Sequence, residues 1–487
     1  MAGLQDKASS PRRKRWWSLS VASLATLVVT ADSGQLSIAL PVIIGEFNAD
    51  ITLAGWIALV YALVTASLYM PCGRLSDLVG IGNLFKIGFL VYAASSLAAG
   101  LSQDAAQLIL FRALQGMGSA LIMANNFALV TALFPPAERG RAMGIAGGTV
   151  SALGYSLGPV IGGLFTHALG WRSNFYLSAT LAVVGFAAAR TLLPAETLKG
   201  SAERRSSFDF VGAAAFSVSI SLLLVALTMA QKGSWRDPLI TVEIACGFVM
   251  LAFFILWEKY SREPLLDLAL FRIPAFALGN VARWISFVTM SINNLLMPFF
   301  IQVAMGLDPL RAGFLVAPTP FAMAVTAPFT GWLSERLVPE HLGALGMATT
   351  TLAFIGLSFL QPTATALEVV FWLTLLGLGM GIFQTPNNNL LMSSVPRERL
   401  GIGSSFLSIV RSVGYSTGAA LGASIVSAQL VKVSGKTSLQ EFQGGAGLAQ
   451  VGPMLEAFLL GFRYACLTAA AICLAGAAVS AIRVTRR

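Results

Sequence analysis

Charge is scarce in this sequence. Of its 487 residues only 11% are Asp, Glu, Lys or Arg, and 56% are hydrophobic, where a soluble domain carries roughly 25% charged residues. Water is therefore excluded as the main solvent. Histidine is almost missing, with only His167 and His341, both near loops. No Gly-x-Ser-x-Gly elbow and no Gly-Lys-Ser/Thr phosphate loop occurs, which argues against a hydrolase and against self-powered ATP-driven movement. The four cysteines, Cys72, Cys246, Cys466 and Cys473, lie in or at the ends of apolar runs without pairing or metal-ligand spacing. They read as small hydrophobes, and no metal or cofactor is expected. The ten-residue alternation of a membrane β-barrel is also lacking.

What the chain does have is long apolar runs. A helix needs on the order of 20 residues to cross a hydrocarbon core. Fourteen runs qualify: 18–43, 52–72, 83–101, 106–134, 142–166, 173–193, 210–230, 238–257, 275–302, 311–333, 342–360, 366–392, 402–430 and 455–482. The first follows Arg12-Arg13-Lys14-Arg15 but is too long for a signal peptide and lacks a cleavage site, so it reads as a permanent helix. Lys and Arg sort unevenly between alternate loops, 22 on the side of both termini against 6 on the other. The positive-inside rule then places both termini in the cytoplasm, in a plasma membrane or bacterial inner membrane. The net charge of +10 is mostly this bias and asks for anionic lipid headgroups, not nucleic acid.

An internal repeat divides the chain. Gly116-Met117-Gly118 is echoed by Gly379-Met380-Gly381, Asn125-Asn126 by Asn388-Asn389, Glu138-Arg139 by Glu398-Arg399, and Gly154, Gly158 and Gly162 by Gly414, Gly418 and Gly422. Upstream, Pro71 to Asp77 is echoed by Pro328 to Glu335. Duplicated halves with a path between them are how secondary transporters are built. The expected organisation is a basic tail over 1–17, a six-helix half over 18–193, linkers and two inserted helices over 194–273, a second six-helix half over 274–482 and a short tail over 483–487. The segment about 431–454 reads as an exposed loop.

Gly73-Arg74-Leu75-Ser76-Asp77 with Gly80 resembles the helix 2–3 signature of the major facilitator superfamily, and Arg112 to Gly118 resembles its helix 4 signature. Gly154-Tyr155-Ser156-Leu157-Gly158-Pro159-Val160-Ile161-Gly162-Gly163 looks like the helix 5 signature of its exporters. Asp32 through Pro41 and Gln302 through Pro318 are similar to the fourteen-helix drug:proton antiporter family. Ile81 and Asn83 stand where that pattern has basic residues, and Ala31-Asp32-Ser33-Gly34 where it has Leu-Asp-x-Thr. The resemblance implies an all-α polytopic fold of fourteen helices, acting as a monomer, that exports amphipathic small molecules in exchange for protons. The alternative is a facilitative or proton-coupled transporter of lipids or an anionic metabolite.

Each motif also has a physical reading. A carboxylate within a span costs roughly 2.5–3.5 kcal/mol on insertion scales and is a functional candidate. Asp32 is the one acidic residue well inside a run, with Gln35 a turn further along the same face; the bland alternative is a solvated carboxylate at a helix end. The resemblance assigns Arg112 to proton coupling with it, against an arginine snorkelling to the interface. Candidate cavity groups are Gln35, Gln115, Asn125, Asn126, Trp284, Asn293, Asn294, Gln302, Gln384, Asn387, Asn388 and Arg411, interleaved with aromatics that include Trp56, Tyr61, Phe299 and Phe383. Amides and rings suit bulky amphipathic ligands, although single aromatics are as readily core or interfacial belt. Gating falls to Gly73, Arg74, Asp77 and Arg139, with Asp77 placed to meet a helix N-terminus. Gly154, Gly158 and Gly162 allow close helix approach and Pro159 bends the helix, which serves either a pivot or plain packing.

Overall fold

The computed structural model describes residues 12–47, 51–194, 208–232, 238–261, 264–266, 268–307, 309–396, 399–434 and 452–482. Most of the 431–454 loop, the 194–207 linker after Pro194, and the chain ends 1–11 and 483–487 lie outside these residues. Among the described residues the chain is helical throughout, without strands: α1 (Arg12–Phe47), α2 (Ile51–Val79), α3 (Ile81–Gly100), α4 (Ala105–Met123), α5 (Asn126–Leu133), α6 (Pro136–Met143), α7 (Val150–Leu169), α8 (Arg172–Leu192), α9 (Phe210–Lys232), α10 (Pro238–Tyr260), α11 (Pro274–Phe299), α12 (Pro309–Val316), α13 (Pro318–Leu333), α14 (Pro339–Leu357), α15 (Ala366–Ser394), α16 (Leu400–Ser434) and α17 (Gly452–Ala481). Eleven stretches among them are long and apolar enough to cross a membrane. In hydrocarbon every backbone N–H and C=O needs an internal partner, which is why such runs become helices.

Three apolar runs are not the unbroken helices the sequence suggests. The run 106–134 breaks at Ala124–Asn125. There the Asn125 amide donates to the Leu121 carbonyl at 2.8 Å, a local bond that competes with the helical ladder. The carbonyls of Met123 and Ala124 instead accept from Ser408 and Ser405 at 3.3 and 3.4 Å. The run 311–333 divides at Ala317 because Pro318 has no N–H to continue α12. The run 142–166 begins earlier, at Pro136, and passes through a π-helical turn at Gly144–Thr149 before α7.

Two units organise the chain. The first runs through Ala213 and takes in Ser261–Leu266 and Val395–Ser408. In it α1 packs on α7 and α8, and α3 on α4 and α8. Glycines set those distances: a Cβ on Gly158 would lie 2.6 Å from the Ala31 carbonyl oxygen, one on Gly162 would lie 2.5 Å from the Gln35 Cα, and Gly154 faces Thr30. The second unit holds Ala214–Tyr260, Asp267–Ser394 and Ile409–Arg487. Its core is aliphatic and aromatic, with Phe300 stacked on Phe462 at 4.7 Å. Here α9 and α10 pair through Phe216 and Phe254, while Phe248, Val249 and Leu256 stay exposed along α10. The second glycine row is looser at its end, since a Cβ on Gly422 would make only ordinary contact with Ile292, at 3.6 Å.

Candidate functional site

The first unit buries an ion pair. Asp32 on α1 is 3% exposed and Arg112 on α4 is 1% exposed. Arg112 Nη1 donates to Asp32 Oδ2 at 2.6 Å and to Gln115 Oε1 at 2.6 Å. Gln115 Nε2 donates to Asp32 Oδ1 at 3.1 Å and to Ser96 Oγ on α3 at 2.8 Å. Behind the guanidinium lies the Tyr61 ring, 4.2 Å away, and the Tyr61 hydroxyl donates to Ser119 at 2.9 Å. Spacing explains the convergence, because Arg112 and Gln115 lie three residues apart and so share a helix face. Gly116 lets α4 approach the α2 backbone, its Cβ position being 2.8 Å from the Tyr61 carbonyl. Arg112 is thus held in the interior and does not snorkel.

Chemically this is a buried ion pair that its neighbours satisfy. Removing two charges from water costs several kcal/mol per ion, and only good geometry with further hydrogen bonds compensates it.

Gln35 belongs elsewhere, accepting from Ser178 on α8 at 3.2 Å instead of joining Asp32. Asn126 donates to Thr26 on α1 at 2.8 Å. In the second unit Arg283 donates to Asn388 and lies 5.0 Å from the Phe287 ring, Asn387 donates to the Gly279 carbonyl at 3.1 Å, and the Gln384 amide contacts the Met290 sulfur at 3.9 Å. Asn293 is buried, Arg411 is partly buried, and Trp284, Asn294 and Gln302 are exposed.

Asp77 sits in the last turn of α2. Its carboxylate accepts from the backbone N–H of Gly401 at 2.9 Å and of Ile402 at 3.3 Å, both in the first turn of α16, whose amides have no helical partner and carry the positive end of the dipole. Gly73 makes room, since its Cβ would lie 2.6 Å from the Gly401 carbonyl oxygen. The cations bearing on Asp77 are Arg74 and Arg399. Arg139, expected beside it, reaches the Thr131 and Phe134 carbonyls at 3.4 and 3.5 Å and so caps the end of α5. A clasp the sequence did not reveal closes the far end of α1. Arg172 and Trp171 donate to Glu46 at 2.5 and 2.7 Å. Arg172's hydrogen bond, then Trp171's, holds the Glu46 carboxyl below its ordinary range.

The model of the Major Facilitator Superfamily matches residues 22–419. The chain is 28% identical to the riboflavin transporter RibZ of Clostridioides difficile (strain 630) over 458 residues, 92% of this chain and 98% of that protein. It is 30% identical to the multidrug resistance protein Stp of Mycobacterium tuberculosis (strain CDC 1551 / Oshkosh), covering 86% of this chain and 77% of that protein. Its fold is similar to the crystal structure of the human organic anion transporter MFSD10 (TETRAN), with a TM-score of 0.62, 97% of this chain and 100% of that chain covered, and 15% identity. An all-helical chain with many apolar spans, matched over most of its length, therefore belongs to the Major Facilitator Superfamily and is a transporter, not an enzyme.

Proposed function

We propose that this protein exports amphipathic small molecules across a plasma or bacterial inner membrane in exchange for protons, by alternating access. The observation that carries this reading is the buried network of Asp32, Arg112 and Gln115. A group buried this deeply is retained against its desolvation cost when it titrates as part of the cycle. A proton taken up from outside neutralises Asp32, and its release inside restores the pair, so proton movement inward drives substrate outward. The names of the relatives, a riboflavin transporter and a multidrug resistance protein, favour flat or amphipathic organic substrates.

In this reading the amides of Asn125, Asn126, Asn293, Asn294, Gln384, Asn387 and Asn388 belong to the substrate path, together with Gln35, Gln302, Trp284 and Arg411. Gly73, Arg74, Asp77, Arg139 and the Gly154–Gly158–Pro159–Gly162 row act in gating. Three more helices, α2, α14 and α16, of 29, 19 and 35 residues, join the eleven apolar stretches to give fourteen crossings, with two repeated six-helix halves and both termini in the cytoplasm. An anionic substrate is the second reading, favoured by Arg283, which is buried in the second unit with its guanidinium over Phe287.

The test is transport in proteoliposomes loaded with ethidium or with riboflavin. An imposed proton gradient should accelerate efflux of at least one of them by about tenfold or more. Equal efflux with the gradient collapsed would establish a facilitator instead.

The pair α9 and α10 is proposed as a peripheral insertion facing lipid. A spin label at Phe248, which is 59% exposed, should then be quenched by oxygen and shielded from water-soluble nickel chelates. Strong quenching by the chelate would place it on an aqueous path.

A further inference from the structure

Two helices of the second unit carry the same short pattern, an arginine followed one turn later by an aromatic ring: Arg283 and Phe287 on α11, Arg411 and Tyr415 on α16. Residues four apart share a helix face, and here the two faces meet. The charge of Arg411 bears on Arg283, while the rings of Phe287 and Tyr415 lie 5.5 Å apart at an angle of 36°. The cations therefore stand together at one level and the rings together at the next. Glycine brings them this close, since a Cβ on Gly414 would lie 2.8 Å from the Phe287 Cβ and 3.1 Å from the Trp284 carbonyl oxygen. Tyr415 is tied down through its own carbonyl, which accepts from Ser291 of α11 at 2.6 Å.

Burial separates floor from rim. Arg283 and Phe287 are buried, whereas Arg411 and Tyr415 are half-buried. The Asn388 side chain accepts from Arg283 and steadies its guanidinium, which lies 5.0 Å from the Phe287 ring. Beside the rings the wall turns apolar with Met290, whose flexible thioether adapts to ligands of different outline. Neither α11 nor α16 has an acidic residue, and α15 has only Glu368, in its first turn and at the other end from Asn388. These three helices thus bring two positive charges and no negative charge to the place where the rings pack. Two like charges held side by side repel, and an anion between them turns that repulsion into attraction. Arginine takes carboxylate or phosphate oxygens through paired N–H donors, and aromatic side chains stack on flat ring systems.

We infer that Arg283 and Arg411, with Phe287 and Tyr415, form a substrate site for flat aromatic anions, the carboxylate or phosphate held by the two guanidiniums and the ring system lying against Phe287 and Tyr415. The inference rests on the reading of this chain as a transporter of amphipathic small molecules and narrows it to those that carry a negative charge. It makes no use of Asp32.

Riboflavin and riboflavin 5′-phosphate share one ring system and differ in an anionic group, so their binding to the purified full chain in nanodiscs, read by flavin fluorescence, separates charge from shape. The phosphate ester should bind at least about tenfold more tightly than riboflavin, since charge-assisted hydrogen bonds are roughly twice as strong as neutral ones. In Arg283→Gln and in Arg411→Gln the affinity for the ester should fall to about that for riboflavin. Arg411 stands at the half-buried rim, so its variant reports on the site even where Arg283→Gln fails to fold. Inorganic phosphate at the same concentration should not displace the ester, because it has no ring to stack. Equal affinity for the two flavins, no binding of the ester at millimolar concentration, displacement by inorganic phosphate, or a preference that survives in Arg411→Gln would each overturn the inference. Binding is measured without a gradient. A negative result therefore leaves proton-driven export standing, and efflux indifferent to the gradient would leave the anion site standing.

Discussion

Asp32→Asn is expected to abolish gradient-driven export while leaving a folded protein that still exchanges substrate downhill. The amide keeps the size of the carboxyl and offers Arg112 one oxygen, but it cannot titrate. Its nitrogen would meet the Gln115 Nε2, which now donates to Asp32 Oδ1 at 3.1 Å. Turning Gln115 over does not repair this, because its oxygen is needed by Arg112 at 2.6 Å. One hydrogen bond in the network is therefore lost at a cost of about 1–3 kcal/mol, too little to unfold a protein of this size. Coupling, by contrast, has no second carrier in the first unit's ion pair and should fall to the background of protein-free vesicles. The check is accumulation of ethidium or riboflavin in inverted vesicles under a proton gradient, set beside exchange without one. Undiminished accumulation would show that the coupling proton is carried elsewhere.

The network was partly legible in the sequence, and the reason is energetic. Charges inside an apolar run are costly enough to stand out, so Asp32 and Arg112 can be picked from composition and spacing alone. Their partners on α3 stand out less, because Ser and Tyr are cheap in a membrane helix. The available signal was Tyr92 and Ser96, four apart on one face of an otherwise apolar run. Asp77 could be expected at a helix N-terminus, since Gly-x3-Asp at a helix end suits that contact, but which helix it meets is fixed by tertiary packing that joins Gly73 to Gly401 across more than three hundred residues. Likewise hydropathy averages over a window and runs straight through Asn125 and Pro318, where the helices break. The Glu46 clasp escaped notice because Glu46 and Arg172 lie outside the apolar runs, at the end of α1 and the start of α8, where single charges read as ordinary solvated ends.

Gly158→Leu is expected to slow transport by a large factor without removing the ion pair. At Gly158 the first added atom would lie 2.6 Å from the Ala31 carbonyl oxygen and 3.1 Å from the Ala31 Cα, so the obstacle is backbone, and no side-chain rotation relieves it. The contact is reciprocal one residue on, where a Cβ on Gly34 would lie 2.5 Å from the Pro159 Cδ. Helix α1 must therefore move away from α7, and Ala31 adjoins Asp32. Overpacking of this kind typically costs about 1–3 kcal/mol. If the close packing of α1 on α7 belongs to one of two alternating states, a bias of that size shifts their ratio by roughly five- to a hundredfold, and the cycle slows accordingly because it must pass through both. Substrate binding from one side should persist. Gly163→Ala is the matched control, since its Cβ would meet only the Ile38 methyl at 3.7 Å, an ordinary contact, and it should transport as the wild type does. Comparing exchange rates measured from each face of the membrane separates the possibilities. Wild-type rates from both faces in Gly158→Leu would mean that the glycine row packs two helices and takes no part in the movement.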